Sequence, residues 1–303
     1  MRKFIVLSAV LLLVACSRGE EPTQITNEAT QTGAETAAVQ SADSEDQQPL
    51  SQVQVDRFAD IQVLRYEAPG FDELPLQEKK LVYYLSQAAL SGRDIIYDQN
   101  YEHNLRIRRL LTAIVDSYSG DRTSADYASL LEYAKRVWFA NGIHHHYSSD
   151  KMLPGFSPET LAQMASQSDP SRMPLDEGQT IEDLLALLYE PMFSSVTDAK
   201  KVNLDPDVDS LKGSATNYYR DVAADEAAEF YASKIDEDPE RPISWGLNSQ
   251  LVKENGELRE RTWKVGGMYG SAIEQIVFWL EKAATVAEND RQKAWIEKLI
   301  SYY

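Results

Sequence analysis

The densest collection of reactive side chains runs Trp138-Phe139-Ala140-Asn141-Gly142-Ile143-His144-His145-His146-Tyr147-Ser148-Ser149-Asp150-Lys151. Three of the chain's four histidines lie in it, the fourth being His103. Imidazoles can ligate a metal or carry a proton. Adjacent residues point in different directions, however, so three in a row seldom meet one ion. The rings and hydroxyls suit stacking and hydrogen bonding, and the segment reads either as a binding loop beyond a helix or as a packed aromatic plug with polar edges.

Other catalytic sets are missing from the sequence. No His-Glu pair exists to start a zinc-binding helix, and no Gly-x-Ser-x-Gly elbow presents a nucleophile. The closest approach to a nucleotide loop is Gly266-Gly267-Met268-Tyr269-Gly270, which lacks the Gly-x-Gly spacing and follows what reads as an antiparallel hairpin. Strand-to-helix turn chemistry accounts for it better.

Cys16 is the sole cysteine, so the body has no internal disulfide. Ahead of it come Arg2-Lys3, an apolar run from Phe4 to Leu13, and Leu13-Val14-Ala15-Cys16. This is the charged, apolar and small-residue order of an export signal, with a thiol placed for lipidation. We therefore expect residues 1–15 to be a lipoprotein signal peptide and Cys16 the lipidated anchor. Residues 16–57 are rich in Gln, Thr, Ser, Ala and Glu and carry no aromatic, the composition of a disordered tether. Ser17, rather than aspartate, follows Cys16, and an outer-membrane place in the cell envelope is the expectation. The formal charge is −18, and loss of Arg2 and Lys3 would make the mature chain more acidic still. Such a surface disfavours nucleic acid and anionic lipid headgroups.

The elements that must position the His-Tyr segment are mostly helices. Apolar residues recur at helical spacing over Leu76 to Leu90, with Leu81, Tyr84, Leu85 and Ala88 on one face and Gly92 just beyond. A second helix covers about Tyr101 to Tyr118, with Leu105, Leu111, Ile114, Val115 and Tyr118 inward and Arg106, Arg108 and Arg109 outward. A third follows Thr123-Ser124, an N-cap pair, and stops at Asn141-Gly142. Further helices are predicted over Pro158 to Gln167, Ile181 to Tyr189, Ala224 to Lys234, Ser271 to about Glu288, and from Asn289 onward. Asn255-Gly256 between Leu247 to Lys253 and Leu258 to Val265 predicts a β-hairpin. The fold class is mainly α with a small β component, an α+β helical lobe over residues 58–303. Its last helix, with Trp295, Leu299 and Ile300, stops at Tyr303 with no Gly cap, Pro or polar tail, from which a C-terminal truncation is expected.

These residues also occur in a familiar order. Glu78 to Ala89, Tyr133-Ala134-Lys135-Arg136-Val137-Trp138, Asn141-Gly142, Lys151-Met152-Leu153-Pro154, Asn217-Tyr218-Tyr219, the hairpin at Asn255-Gly256 and Glu274 to Ala283 resemble the N-terminal lobe of the dipeptidyl peptidase III family. The resemblance covers roughly Phe58 to Tyr303, and rests on order and spacing rather than on any single motif. It implies a two-lobed zinc exopeptidase that removes dipeptides from peptide N-termini in a cleft between lobes. The family's zinc-binding His-Glu-x-x-Gly-His and later glutamate do not occur here. Zinc would belong to the full-length protein, with ligands outside this chain, and the chain alone is expected to hold none and cleave nothing. An oligopeptide is the implied substrate. Tyr147 corresponds to the family's substrate-lining aromatic and Ser148 to the small residue beside it. The competing reading is a non-catalytic lipoprotein that binds peptides or another ligand.

Overall fold

A computed structural model describes residues 53–234, 240 and 243–303. The signal peptide, Cys16 and nearly all of the tether lie outside the described residues. Within them the architecture is mainly α with two small sheets, as the hydrophobic periodicity predicts.

The largest core gathers α2 (Arg93–Asn100), α3 (Asn104–Ser117), α4 (Ala125–Ala140), α5 (Pro158–Ser166) and α6 (Ile181–Phe193). Helix α3 is its axis, packed on α2, α4 and α5, and Ile107, Leu110, Leu111 and Ile114 are fully buried. Contact on several sides widens its apolar stripe, which is why Ile107 and Leu110 join the core while Leu105 and Val115 stay at its margin. Arg108, expected outward, is a correction: its side chain is 17% exposed, pairs with Asp94, and lays its guanidinium 4.9 Å from the Tyr97 ring centre. A half-buried Asp and an aromatic face make that site favourable for a planar cation.

Helix α2 itself was not apparent from the sequence. Gly92 stands just past α1 (Leu76–Ser91), as the sequence predicts, but its φ of −83° is ordinary right-handed backbone, and the chain turns there and re-enters a helix. Helix α6 likewise runs past the expected Tyr189 to Phe193, because Pro191 sits in its last turn, where little of the helix remains to be broken.

A second core lies between α1, α8 (Gly270–Ala284) and α9 (Asp290–Tyr302). Leu81 and Ala88 face Ile276, Leu280 and Ala283, and Tyr84 stacks on Trp279 with centroids 6.0 Å apart. Asn289 caps α9 by accepting the Gln292 amide.

The predicted hairpin is present as β4 (Ser249–Glu254) and β5 (Glu257–Thr262), antiparallel, with Asn255 and Gly256 both at positive φ. A short strand, β3 (Tyr219–Arg220), adds parallel to β4; its two residues are too few to show alternation in the sequence. β4 is thus the central strand, and Ser249–Val252 are all buried. Helix α7 (Ala224–Ala232) covers this sheet through Ala227.

A further hairpin, β1 (Gln54–Phe58) with β2 (Ile61–Leu64), overlaps the stretch assigned to the tether. Composition failed there because the hairpin is held by specific contacts rather than by a core of its own. Asp56 pairs with Lys135 of α4 at 2.7 Å, and that ammonium lies 5.4 Å from the Phe58 ring centre.

One polar node joins the three cores. Asn217 Nδ2 and the Tyr269 hydroxyl donate to Asp98 Oδ2 at 3.0 and 2.6 Å, and Gln250 Nε2 donates to Asn217 Oδ1 at 2.6 Å and to its carbonyl at 2.9 Å. Asp98 belongs to α2, Gln250 to β4, and Tyr269 precedes α8. The Gly-rich loop before α8 is what delivers Tyr269. Tyr269 stands in left-handed backbone at φ 62°, and a Cβ on Gly267 would come within 2.5 Å of the Thr262 carbonyl. That accounts for Gly266-Gly267-Met268-Tyr269-Gly270 as a turn.

Candidate functional site

The His-Tyr segment begins where α4 ends, and the ending is tightly determined. Asn141 takes the left-handed conformation at φ 53°, and the Gly142 amide returns to the Val137 carbonyl at 3.0 Å. Gly142 lies against fully buried Asn104, whose Nδ2 would be 2.1 Å from a Cβ there, so only glycine fits. Asn104 Oδ1 accepts the Ile143 amide at 3.0 Å, and Asn100 Nδ2 donates to the Asn141 carbonyl at 3.0 Å. Two amide side chains thus fix the helix end to α2 and α3, and Ile143 drops into the core.

From there the chain makes a narrow loop. Met152 N donates to Ile143 O at 2.8 Å and His145 N to Asp150 O at 2.7 Å, while the 197–201 segment lines the other side through Lys151 N to Ala199 O at 2.9 Å. Lys151 Nζ reaches the Ser194 and Thr197 carbonyls. Burial is the main cause lowering its pKa, against the nearby carboxylates Asp198 and Glu190.

The three adjacent imidazoles do different things. His144 is buried at the base, where Nε2 meets the Asp198 carbonyl at 2.7 Å. A carbonyl only accepts, so Nε2 carries the hydrogen and Nδ1 does not; Nδ1 has no partner among the described residues. Burial holds the His144 pKa below the ordinary imidazole range. Tyr101 packs edge-on against this ring and donates to Asp198 Oδ2 at 2.6 Å. Burial first, and that carboxylate second, push the Tyr101 pKa up, so the phenol stays neutral and donating. His145 uses Nδ1 to accept the amides of Tyr147 and Ser148, both at 3.2 Å. His146 stacks between His145 and Tyr147, with centroids 4.4 and 4.3 Å away, and takes the edge of Phe139 at 5.1 Å. Its pKa is lowered, by desolvation foremost. The rings do not converge on a point, and among the described residues no three metal-ligating side chains do.

Tyr147 occupies the loop tip and is 87% exposed, facing away from the helical core. Ser148 is beside it, its hydroxyl turned back to accept the Asp150 amide at 3.3 Å. Tyr147, His146 and half-exposed Phe139 therefore form one aromatic surface on a fixed base. Such a surface can stack against a ligand and hydrogen-bond through a phenol. It holds no paired nucleophile and base.

Two remote carboxylates complete the site. Asp60, in the β1–β2 turn, brings a carboxylate to 3.9 Å from His145 Nε2, and Asp198, at φ 49°, connects Tyr101 with His144. Neither has a sequence signal, since both partners are remote along the chain.

No protein-family model and no curated protein matches this chain. Among solved structures it is similar to "Structure of DPP III from Caldithrix abyssi", at 18% identity and a TM-score of 0.44. That similarity covers 78% of this chain and 32% of the other, so the chain spans about a third of its length.

Proposed function

We propose that this chain is the N-terminal, non-metal lobe of a zinc-dependent exopeptidase of the dipeptidyl peptidase III type, tethered to the cell envelope through Cys16. Tyr147 and Ser148 line the path of the peptide substrate. What supports the reading is the ordered set of segments from Glu78 to Ala283 that resembles the family lobe, together with one structural observation that carries it. The residue matching the substrate-lining aromatic, Tyr147, sits at the tip of a pinned loop and is 87% exposed.

The residues here do not fit a zinc ion. His144 is committed to the Asp198 carbonyl and His145 to two amides, so the metal and the water-activating base must come from a further lobe. This lobe's own task is binding: stacking on Tyr147 and His146 and excluding water beneath the substrate.

Two experiments test the proposal. The complete reading frame, expressed and assayed on short peptides, should release N-terminal dipeptides and hold about one zinc per chain as a catalytic site requires, whereas residues 1–303 alone should do neither. A complete frame that binds peptides but never cleaves them would favour the non-catalytic binding lipoprotein instead. Cys16→Ser should free the protein from membranes, because no described helix is long and apolar enough to cross one. Unchanged membrane association of that variant would refute the lipid anchor.

A further inference from the structure

The chain contains two Asn-Gly pairs, and the fold treats them differently. Both asparagines stand in left-handed backbone, at the same φ of 53°. At the end of α4 the amide that follows the asparagine is occupied, because Gly142 N donates to Val137 O at 3.0 Å. Gly142 is buried against Asn104, whose Nδ2 lies 2.1 Å from where a Cβ would stand, and the Asn141 carbonyl accepts from Asn100 Nδ2 at 3.0 Å. None of these restraints operates at the tip of the β4–β5 hairpin. Asn255 and Gly256 are both exposed, the Gly256 amide has no hydrogen-bond partner among the described residues, and a Cβ on Gly256 would meet no atom within 4 Å.

We propose that Asn255 is a self-modifying position, at which the side-chain amide is converted to aspartate and isoaspartate with no reagent but water. The Gly256 nitrogen attacks Asn255 Cγ and gives up its proton as the new N–Cγ bond forms; the Cγ–Nδ2 bond breaks, and ammonia leaves. Glycine allows the approach because it has no Cβ beside the attacking nitrogen. Water then opens the cyclic imide at either carbonyl. Cleavage of the new N–Cγ bond leaves aspartate on an ordinary main chain. Cleavage of the original peptide bond leaves isoaspartate, whose main chain runs through Cβ and Cγ and is longer by a methylene. Both products act on the hairpin. The new carboxylate falls between Glu254 and Glu257, where Glu254 is already shared by Arg259 and Arg261. The isoaspartate also lengthens a tight turn whose twist matches that of the strands, so pairing of Glu254 with Glu257 should fray first. The proposal rests on hairpin geometry and does not depend on the peptidase reading.

Peptide mapping by mass spectrometry tests it, on the full chain incubated folded and, in parallel, unfolded in urea at the same pH. Unfolded, both Asn-Gly pairs should convert at similar rates, since only the fold separates them. In the folded chain Asn255 should become a mixture of aspartate and isoaspartate at least about tenfold faster than Asn141, the ratio that ~1.4 kcal/mol of local opening at Asn141 would produce. A folded chain that keeps the Asn255 amide over the time in which the unfolded chain loses it would overturn the proposal. Equal conversion of Asn141 and Asn255 in the folded chain would overturn it as well, because the hydrogen bond and burial at Gly142 would then count for nothing.

Discussion

The Asp98 node and the Tyr147 loop are both rich in polar and aromatic groups, and they spend them in opposite ways. At the node, Asn217 and Gln250 are buried and their amides are matched with Asp98 and with each other. Asp98, Asn217, Gln250 and Tyr269 are bonded to one another inside the protein, with Gln250 Oε1 left without a partner among the described residues, and the network ties α2, β4 and α8 together. The loop pairs its backbone through Asn104, His145 and the 197–201 segment, and leaves the Tyr147 and Phe139 rings open to solvent. A fold gains nothing from an exposed tyrosine on a pinned loop. The contrast separates groups bonded inside the fold from rings left open at its surface.

Breaking the node should have the largest effect. Asn217→Ala removes one of the two acceptors of Gln250 Nε2, the main-chain carbonyl remaining, and one donor to Asp98, and should cost about 2 kcal/mol, since an unsatisfied buried group costs roughly 1–3 kcal/mol. Chemical denaturation measures it, and a loss under about 1 kcal/mol would mean that the node is solvated rather than structural. Tyr269→Phe removes a single donor to a carboxylate and should cost about 1.5 kcal/mol. The two losses should fall short of adding in the double variant, because both act on Asp98.

Acid sharpens the comparison at the loop base. Burial holds the folded-state pKa of His144 below the ordinary imidazole value of about 6.5. The unfolded chain therefore binds more protons as pH falls through 6.5, and folding stability should decline below that value while remaining full above it. His103 and His146 are lowered in the same direction and contribute alike. His144→Gln should flatten the decline between about pH 6.5 and 5. Denaturation curves at both pH values, with an equal slope in wild type and variant, would show that His144 carries none of it.

Much of this molecule is readable from its sequence, and the exceptions have physical reasons. The α1, α3 and α4 stripes, the Ser124 cap and the Asn255-Gly256 turn are local, and local patterns announce themselves. Helix α2 hides because Gly92 reads as a terminator while adopting right-handed backbone. β3 and the β1–β2 hairpin are hidden because pairing partners and Lys135, not composition, make them. At the site, Tyr147 stands exposed at the loop tip, where helical periodicity has nothing to say. The separate duties of His144, His145 and His146 could not be read, since they depend on Asp198 and Asp60, each more than fifty residues away from its histidine.

The most direct test of the central claim compares catalysis and stability in one variant, Tyr147→Ala, made in the complete reading frame. If Tyr147 contacts the peptide, the Michaelis constant for short peptides should rise while unfolding changes by less than about 0.5 kcal/mol, as for other exposed side chains. Unchanged kinetics together with a marked drop in melting temperature would contradict the account, and would make Tyr147 a structural residue.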